Sequence, residues 1–337
     1  MKPYLEKISS NVDLTYEEAA DAMQLIMSGE STAAQFGSFV TGLRMKGETV
    51  DEIAGMASVM RKMALSVNYD NDLLDTCGTG GDGLGTFNIS TAAAFVSAGI
   101  GIKIAKHGNR AMSSHTGSAD VLESLGININ LTPDQVSECI KISNFGFMFA
   151  QGFHPAMKHA GPPRREIGIR TVFNILGPLT NPAGAQKQLI GVSDPKVGNL
   201  IAQSLKRLGS ESALIVHGND GLDEITLSDY SQLWILKNGE ISIEKFYPES
   251  LGVNIQSLSK LQVNNSEESA QMIESVLDGI HGPSRDIVLL NSAAAIFISG
   301  HSDNFQEAFD KAKHSIDSGL ANQTLNLVRE YSQKLND

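Results

Sequence analysis

Apolar residues recur every three or four positions along the first 65 residues, in stripes over residues 36–43 and 50–64. This spacing predicts amphipathic helices. Side chains able to bond the free amides of a first helical turn mark three helix starts: Thr15 with Glu18, Thr49 with Glu52, and Ser31 between them. We therefore predict three short helices. They are too small to enclose a core alone, so they must pack on the rest of the chain or on a partner.

From residue 73 onward, short apolar runs alternate with helical stretches. Strands are predicted at 73–77, 102–105, 189–192, 213–216 and 287–290, and helices at 118–125, 196–208, 268–277 and 304–318, with further helix starts near 88 and at 133. Strands that alternate with helices predict a mostly parallel sheet with helices on both faces. The fold class is therefore α/β.

Two domains are expected from this change of pattern. A small helical domain covers residues 1–65, and a larger α/β domain covers residues 66–337. We interpret the proline- and glycine-rich tract at 161–184 as a segment that crosses between the two domains. Part of residues 160–185 is expected to complete the helical domain.

Composition narrows the classes of function. Of 337 residues, 26 are Lys or Arg and 38 are Asp or Glu, so the net charge is −12. That balance disfavours nonspecific binding of nucleic acid, which uses net-positive surfaces. A hydrophobic content of 41% with 19% charged residues is typical of a globular chain.

No membrane or secretory segment is expected. The longest weakly polar stretch, residues 92–102, is far shorter than the ~20 residues of a spanning helix. Charged residues through the N-terminus leave no signal-peptide core. Cys77 and Cys139 are too few for a disulfide framework and lack zinc spacing. We expect a cytoplasmic protein.

A glycine loop at residues 78–83 matches G-x-G-x-x-G between a predicted strand and a predicted helix. A dinucleotide fold would need an acidic residue about 20 positions later, at the end of the next strand. The basic segment 106–110 stands there instead. Asp82 would repel a bare pyrophosphate unless a cation intervened, and the lysine of a P-loop is missing. The loop alone fits either a phosphate site or a tight turn.

Polar side chains gather after the first two strands. Because free amides and the helix dipole favour anions, the helix start near residue 88 can bind phosphate. Plain capping explains one hydroxyl or amide there, but not three. These strand ends suit a ligand with two separated phosphate groups. The side chains concerned are Asn88, Ser90, Thr91, Lys106, Arg110, Ser113, Ser114 and Ser118.

Adjacent carboxylates at Asp223 and Glu224 follow the strand predicted at 213–216. They are either solvated charges or, beside a pyrophosphate, ligands for Mg²⁺, which takes one or two carboxylates together with phosphate oxygens. The Ser90 hydroxyl is a further candidate ligand.

Four segments together resemble the anthranilate phosphoribosyltransferase family. They are DTCGTGGDGLGTFNIST at 75–91, KHGNRAMSSHTGSADVLESLG at 106–126, HPAMKHAGPPRREIGIRTVFNILGPLTNPA at 154–183, and HGNDGLDE at 217–224. The resemblance runs in order through nearly the whole chain. Departures at 84–85, 112, 115–116 and 151–153 fall between motif residues and concern loop detail.

The resemblance implies a homodimeric, Mg²⁺-dependent enzyme of tryptophan biosynthesis, with its dimer contact in the N-terminal helices. Such an enzyme transfers phosphoribosyl from 5-phosphoribosyl 1-pyrophosphate (PRPP) to the amine of anthranilate. It implies Ser90, Asp223 and Glu224 as metal ligands, and Gly78, Asn109 and Arg164 as anthranilate contacts. The implied donor contacts are Gly78, Gly81, Asp82, Thr86, Asn88, Ile89, Ser90, Thr91, Lys106, His107, Gly108, Asn109, Arg110, Ala111, Met112, Ser113, Ser114 and Ser118.

The chemistry of these residues is consistent with that reaction. Pyrophosphate leaves with high charge, so fixed amides, Lys106 and a metal ion would stabilise the transition state. Lys106, His107 and Asp82 are the catalytic candidates. The planar fork of Arg164 matches the carboxylate of anthranilate. The aryl amine is neutral at pH 7, so no strong base is needed. His107 either accepts the amine proton or only forms a hydrogen-bonding wall.

Other residues near these motifs have two interpretations or a structural one. His154 either lines the acceptor pocket or caps the helix after Pro155, and Pro178 is expected to form an apolar wall. Arg165 and Arg170 are predicted to make structural ion pairs. Cys77 is predicted to be a small buried strand residue.

Three other functions stay open from the sequence. A pyrimidine nucleoside phosphorylase would share the architecture, but would carry a different lysine–serine signature near the glycine loop. A noncatalytic nucleic-acid-binding relative would lose the carboxylate pair and gain a basic surface. An NADP-dependent oxidoreductase would rest on the glycine pattern alone.

Overall fold

The N-terminal part of the chain is a helical bundle. The computed structural model describes residues 1–69, 72–111 and 116–335. Four helices come first, rather than the predicted three: α1 (Lys2–Ser9), α2 (Tyr16–Met27), α3 (Ala33–Lys46) and α4 (Val50–Met63). The prediction missed α1, which has only eight residues and buries only Ile8.

The capping boxes at Thr15 and Thr49 are confirmed. The cap of α3 is Thr32, paired with Gln35, rather than the predicted Ser31. Thr32 precedes a glutamine at the third helical position, so it can form the reciprocal bonds of a capping box.

The bundle packs on a later part of the chain. α2 and α4 approach closely because Gly55 has no side chain; a Cβ there would lie 2.2 Å from the Tyr16 carbonyl oxygen. The buried face of the bundle continues onto Leu176 and Leu179, and the Arg61 Nε donates to the Leu179 carbonyl oxygen at 2.7 Å. These contacts support completion of the helical unit by part of residues 160–185. The boundary at residue 65 stays a prediction.

The rest of the described chain forms a seven-stranded sheet in the order β3-β2-β1-β4-β5-β6-β7. Strands β1 to β5 are parallel, and β6 and β7 form an antiparallel hairpin at one edge. The predicted α/β class with a mostly parallel sheet is confirmed. The strands are β1 (Leu74–Gly78), β2 (Ile104–Gly108), β3 (Phe145–Phe149), β4 (Lys187–Gly191), β5 (Ser212–Gly218), β6 (Ser231–Lys237) and β7 (Glu240–Phe246).

Helices cover the sheet. None in the described ranges is long and apolar enough to cross a membrane. They are α5 (Ile89–Gly99), α6 (Ser118–Ser124), α7 (Pro133–Ser143), α8 (Ala150–Phe153), α9 (Met157–Ile167), α10 (Phe173–Leu176), α11 (Gly198–Arg207), α12 (Ser266–Leu277), α13 (Pro283–Ile298), α14 (Phe305–Asp317) and α15 (Leu320–Lys334).

The strand predicted at 287–290 is wrong, because these residues lie inside α13. This helix is buried around most of its circumference, so its apolar run has no amphipathic period. Such a run cannot be told from a buried strand by pattern. Strands β3, β6 and β7 were not predicted. β3 starts directly after α7, which ends at Asn144 in the left-handed conformation.

The parallel strands fix the place of the site. β1, β2, β4 and β5 lie side by side, so the loops that follow Gly78, Gly108, Gly191 and Gly218 meet at one edge of the sheet. Ligands bind at this carboxyl edge in open α/β sheets.

Candidate functional site

A cleft of about 350 Å³ opens at this edge of the sheet. One wall is made of the loops after β1 and β2, the floor is formed by the turn after β5, and the opposite wall is residues 164–178. Its size is within the range of pockets that hold a small molecule.

The glycine loop is held by bonds to neighbouring loops. The Thr79 amide donates to the Gly191 carbonyl oxygen at 2.9 Å, and the Gly80 amide donates to the Asp223 carboxylate at 3.0 Å. The Gly80 carbonyl oxygen accepts from both terminal guanidinium nitrogens of Arg170, each at 3.0 Å. The loop is therefore fixed against the turn that carries the carboxylate pair.

The close approach of Arg170 leaves no room for a side chain at residue 81, which is a glycine. Gly81 has φ +78°, and a Cβ there would lie 1.9 Å from Arg170 Nη1. The predicted ion pairs of Arg165 and Arg170 are wrong within the described part of the chain. Arg170 lines the cleft and bonds a backbone carbonyl, while Arg165 is exposed.

The carboxylate pair lies in an electrostatically unfavourable place. Burial, the charge of Asp82 and a side-chain contact with Asp82 raise the pKa of Asp223 to about 7. Burial and the Asp223 charge raise the pKa of Glu224 well above its usual value, against the opposing effect of Lys106 and of a bond from the Ser90 amide. The site therefore has more negative charge than its surroundings compensate.

This arrangement fits a divalent cation that shares its coordination with a ligand. No group of three or more His, Cys, Asp or Glu side chains in ranges 1–69, 72–111 and 116–335 is placed to hold a metal ion by itself. Mg²⁺ needs only one or two carboxylates when phosphate oxygens and water complete its coordination. Asp223, Glu224 and the Ser90 hydroxyl are the residues that could hold it.

Lys106 is buried beneath the cleft, with only 1% of its surface exposed. Its ammonium group donates to the carbonyl oxygen of Thr76, and its Nζ lies 3.3 Å from both the Thr76 and the Ser90 hydroxyl oxygens. Burial lowers its pKa, opposed by the nearby acidic groups, of which Asp75 is the strongest. The Ser90 hydroxyl is therefore the cleft group closest to its charge for hydrogen bonding.

The first amides of α5 are already bonded within the protein: that of Asn88 donates to the Ser269 hydroxyl at 3.0 Å, that of Ile89 to the Phe87 carbonyl oxygen at 2.8 Å, and that of Ser90 to Glu224. Asn88 precedes the helix but does not cap it; its Oδ1 accepts from the hydroxyls of Thr116 at 2.6 Å and Ser269 at 2.8 Å. The Thr91 hydroxyl is buried within α5 and does not line the cleft. Thr86 lines the cleft and pairs with Gln262 in an isolated bridge.

Arg110 faces the cleft, yet its charge is already compensated. Its Nη1 donates to Asp120 at 3.0 Å and its Nη2 to Glu123 at 2.9 Å. The amides of Ala111 and Gly117 both donate to Asp120 at 2.9 Å, which ties together the two ends of this loop. Any ligand contact by Arg110 must compete with two carboxylates.

Arg164 is a second cationic group of the opposite wall, besides Arg170. It is half-buried, and no described carboxylate forms an ion pair with it. Burial and the neighbouring charge of Arg170 lower its pKa. Its guanidinium lies 5.9 Å from the centre of the Phe173 ring, and Pro178 lies on the same wall. An aromatic carboxylate would meet both a charge partner and apolar surface there.

Two imidazoles pack together behind this wall. The rings of His107 and His154 are 5.0 Å apart. Burial lowers the pKa of His107 to about 3 and that of His154 to about 4. Nε2 of His107 has no hydrogen-bond partner in the described structure, and a hydrogen bond with the Thr180 backbone opposes the lowering of the His154 pKa. Both rings are neutral at pH 7, and so low a pKa weighs against His107 as a proton acceptor.

His154 has neither of its two predicted positions. It lies behind His107 rather than on the cleft surface, and α9 begins at Met157 without a side-chain cap. Cys77, predicted to be buried, is half-buried and lines the cleft. Its place at the end of β1 exposes it where the loops diverge.

Most predicted site residues converge on the cleft. Met112, Ser113 and Ser114 lie outside the described residues. Those lining the cleft are Gly78, Gly81, Asp82, Thr86, Asn88, Ile89, Ser90, Lys106, His107, Gly108, Asn109, Arg110, Ala111, Ser118, Arg164, Pro178, Asp223 and Glu224.

Several cleft residues were missed. Arg170, Phe173 and Asn174 belong to the same motif as Arg164, so their position in that motif was the available signal. Gly80 was missed because its contribution is backbone: an amide to Asp223 and a carbonyl to Arg170.

Two family models match the chain. Residues 70–322 match the model described as glycosyl transferase family, a/b domain, and residues 2–64 match glycosyl transferase family, helical bundle domain. The chain is similar to anthranilate phosphoribosyltransferase from Methylobacillus flagellatus, with 48% identity over 331 residues, covering 98% of this chain and 97% of the relative.

Solved structures agree in fold. A crystal structure of anthranilate phosphoribosyltransferase from Thermus thermophilus has a TM-score of 0.93 and 38% identity, covering 98% of this chain and 99% of the other. A structure of the Saccharomyces cerevisiae enzyme in complex with PRPP and Mg has a TM-score of 0.91 and 30% identity, with coverage of 98% and 97%.

The neutral histidine pair predicts a pH dependence of stability. A folded-state pKa near 4 against about 6.5 in the unfolded chain means that folding excludes a proton, so stability falls as the pH drops below 6.5. For His154 this loss reaches roughly 2 kcal/mol at pH 5. His154→Gln should therefore lose less free energy of unfolding between pH 7 and pH 5 than the parent protein.

Urea unfolding at the two pH values measures this difference. The exposed His281 provides the control, because His281→Gln should leave the pH dependence unchanged. An equal loss of stability in the parent and in His154→Gln would contradict a neutral buried His154.

Proposed function

The chain belongs to the anthranilate phosphoribosyltransferase family, and we propose from the geometry of the cleft which residues perform each part of its reaction. The enzyme transfers phosphoribosyl from PRPP to the amine of anthranilate and releases pyrophosphate, a step of tryptophan biosynthesis that requires Mg²⁺. The three other functions left open by the sequence are therefore set aside.

One observation supports the assignment most strongly. The glycine loop and the carboxylate turn are joined by the Gly80–Asp223 hydrogen bond, opposite an Arg164 that has no ion-pair partner among the described residues. One side of the cleft is thus organised for a phosphorylated ligand with a cation, and the other for a carboxylate.

The phosphoribosyl donor is assigned to the glycine loop, the start of α5 and the loop after β2. The positive dipole end of α5 and the amides of the glycine loop can bind phosphate oxygens. Both lie at the edge where β1 and β2 end, with Asn109 and Ser118 beside them.

Asp223, Glu224 and the Ser90 hydroxyl are assigned to the metal ion. When bound, Mg²⁺ supplies charge stabilisation to the departing pyrophosphate. Lys106 is assigned an indirect part, because its ammonium group lies at hydrogen-bond distance from the Ser90 hydroxyl and opposes the raised pKa of Glu224. Asp82 adds negative charge beside Asp223 and accepts from the Leu84 amide at 3.2 Å.

Anthranilate is assigned to the wall of Arg164, with Gly78 and Asn109 at the other side of the cleft. Arg164 would bind the carboxylate and Pro178 would pack on the ring. The aryl amine is uncharged at pH 7, so the cleft has to position it against the ribose carbon rather than deprotonate it first. His107 and His154 are assigned to the buried support of this wall.

The assay that tests the function follows the fluorescence of anthranilate in the presence of PRPP and Mg²⁺. Consumption that depends on both additions is the expected result. Absence of consumption by folded protein under all these conditions would contradict the proposed activity of this chain.

A homodimer in the cytoplasm is proposed for the quaternary state and location. The N-terminal region exposes apolar side chains, namely Met45 of α3, exposed to 84%, and the half-exposed Val12 between α1 and α2. Sedimentation should give about twice the chain mass of 36.1 kDa. Hydrogen exchange in α1 and α3 should slow as the protein concentration rises. A sedimenting species with the mass of one chain at micromolar concentration would exclude the dimer.

Arg164→Ala should raise the KM for anthranilate far more than the KM for PRPP. A charge-assisted bidentate contact contributes roughly 1.5–3 kcal/mol, which corresponds to about 10- to 150-fold. Arg165→Ala is the matched control, because Arg165 is adjacent, exposed and outside the cleft. Equal anthranilate KM values for the two variants would contradict the assignment.

The double variant Asp223→Asn with Glu224→Gln should lose the Mg²⁺ dependence of turnover while its melting temperature stays or rises. The physical reason is that both changes remove uncompensated buried charge. Steady-state rates over a Mg²⁺ titration measure the effect, with Asp229→Asn and Glu249→Gln, two carboxylates outside the cleft, as control. A Mg²⁺ titration like that of the parent would remove these carboxylates from the metal site.

A further inference from the structure

The carboxylate pair lies in a segment without regular secondary structure. Residues 219–230 connect β5 to β6, and neither a helix nor a strand ladder fixes their backbone. A pair of metal ligands needs a fixed spacing to be useful. In such a segment, side-chain hydrogen bonds must supply the geometry that regular structure supplies elsewhere.

Asp220 supplies three of these bonds. Its Oδ1 accepts from the Leu222 amide at 3.2 Å, and its Oδ2 accepts from the hydroxyls of Thr226 and Ser228. Leu222 is the residue before Asp223, and Thr226 is the second residue after Glu224. One carboxylate therefore ties together both ends of the segment that presents the pair.

A helix on the other side holds the middle of the same segment. Asn291 of α13 is fully buried; its Oδ1 accepts from the Ile225 amide at 2.8 Å, and its Nδ2 donates to the Ile225 carbonyl oxygen at 3.0 Å. The side chains of Leu222 and Ile225 are buried in the core. With these anchors inside, Asp223 and Glu224 are left facing the cleft.

Asp220 itself does not reach the cleft. It is absent from the residues that line it, and its two oxygens are directed at the segment. Gly218 permits this position, because a Cβ there would lie 2.6 Å from Asp220 Oδ1. Asp220 therefore acts on any ligand only through the backbone that it holds.

We propose that Asp220 is a positioning residue for the metal-binding pair Asp223 and Glu224. The inference rests on the proposed metal site. Groups that orient metal ligands typically change metal affinity 10- to 100-fold when removed. Asp220 does not touch either substrate, so its loss should act on the metal and leave the anthranilate site unchanged.

The test compares Asp220→Ala, Asp220→Asn and Asp229→Ala in the full-length protein. Asp220→Ala should raise the Mg²⁺ concentration for half-maximal rate about 10-fold or more, with an anthranilate KM within about twofold of the parent value. Asp220→Asn should recover most of the response, since its amide can bond the two hydroxyls and its oxygen can accept from Leu222. Mn²⁺ binding with pyrophosphate, followed by electron paramagnetic resonance, gives the readout without turnover.

Asp229 is the matched control. It lies in the same connection and accepts from Asn219 at 2.6 Å and from the Tyr230 amide at 2.7 Å, outside the segment that carries the pair. Asp229→Ala should keep the parent Mn²⁺ affinity. If Asp220→Ala fails to fold, Thr226→Val replaces it, because it removes one bond to Asp220 with little change of shape.

Parent-like Mn²⁺ binding in Asp220→Ala would overturn the inference, as would an equal loss in Asp229→Ala. The double variant Asp223→Asn with Glu224→Gln distinguishes failure of the positioning role from failure of the proposed metal site. If it loses Mn²⁺ while Asp220→Ala keeps it, only the positioning role fails. If it also keeps Mn²⁺, the metal site itself fails.

Discussion

The site depends on the close approach of the turn after β5 to the loops after β1 and β4. A Cβ at Gly191 would lie 1.6 Å from the Asp223 carbonyl oxygen, so only glycine at this strand end admits the turn. Once it is there, Asp223 can accept from the Gly80 amide, and Glu224 from the Ser90 amide. A bulkier residue at the end of β4 would separate the carboxylates from the glycine loop.

Sequence patterns predicted this region well because its polar and charged residues lie directly after strands. The glycine loop, the start of α5 and the turn at Asp223 each come directly after a parallel strand, so topology alone brings them together. Patterns failed where burial erased periodicity, as in α13, and where the backbone was the active group, as at Gly80. They also assigned Arg170 to an ion pair, because a guanidinium bonded to a carbonyl oxygen leaves no signature in composition.

In the proposed assignment, the cleft separates its two substrates by electrostatic character. Its donor side combines backbone amides with carboxylates whose raised pKa indicates excess negative charge, which favours a phosphorylated ligand accompanied by a cation. Its acceptor side combines Arg164 with an aromatic ring and a proline, over two imidazoles that burial keeps neutral. Because the two imidazoles are neutral, the positive charge that an incoming carboxylate would meet comes from Arg164 and the nearby Arg170.

The buried lysines differ in their partners: Lys46 and Lys187 each form ion pairs with two carboxylates, whereas Lys106 does not. Lys46 is held between Asp13 and Glu52, and Lys187 between Asp72 and Glu211, as expected of cations removed from water for structural reasons. Lys106 is more deeply buried, yet within the described residues it has only carbonyl and hydroxyl oxygens as bonding partners. Burying a cation without a carboxylate partner costs free energy. A fold that retains it beside Ser90 and Glu224 keeps positive charge next to the groups that we assign to the metal ion and the departing pyrophosphate.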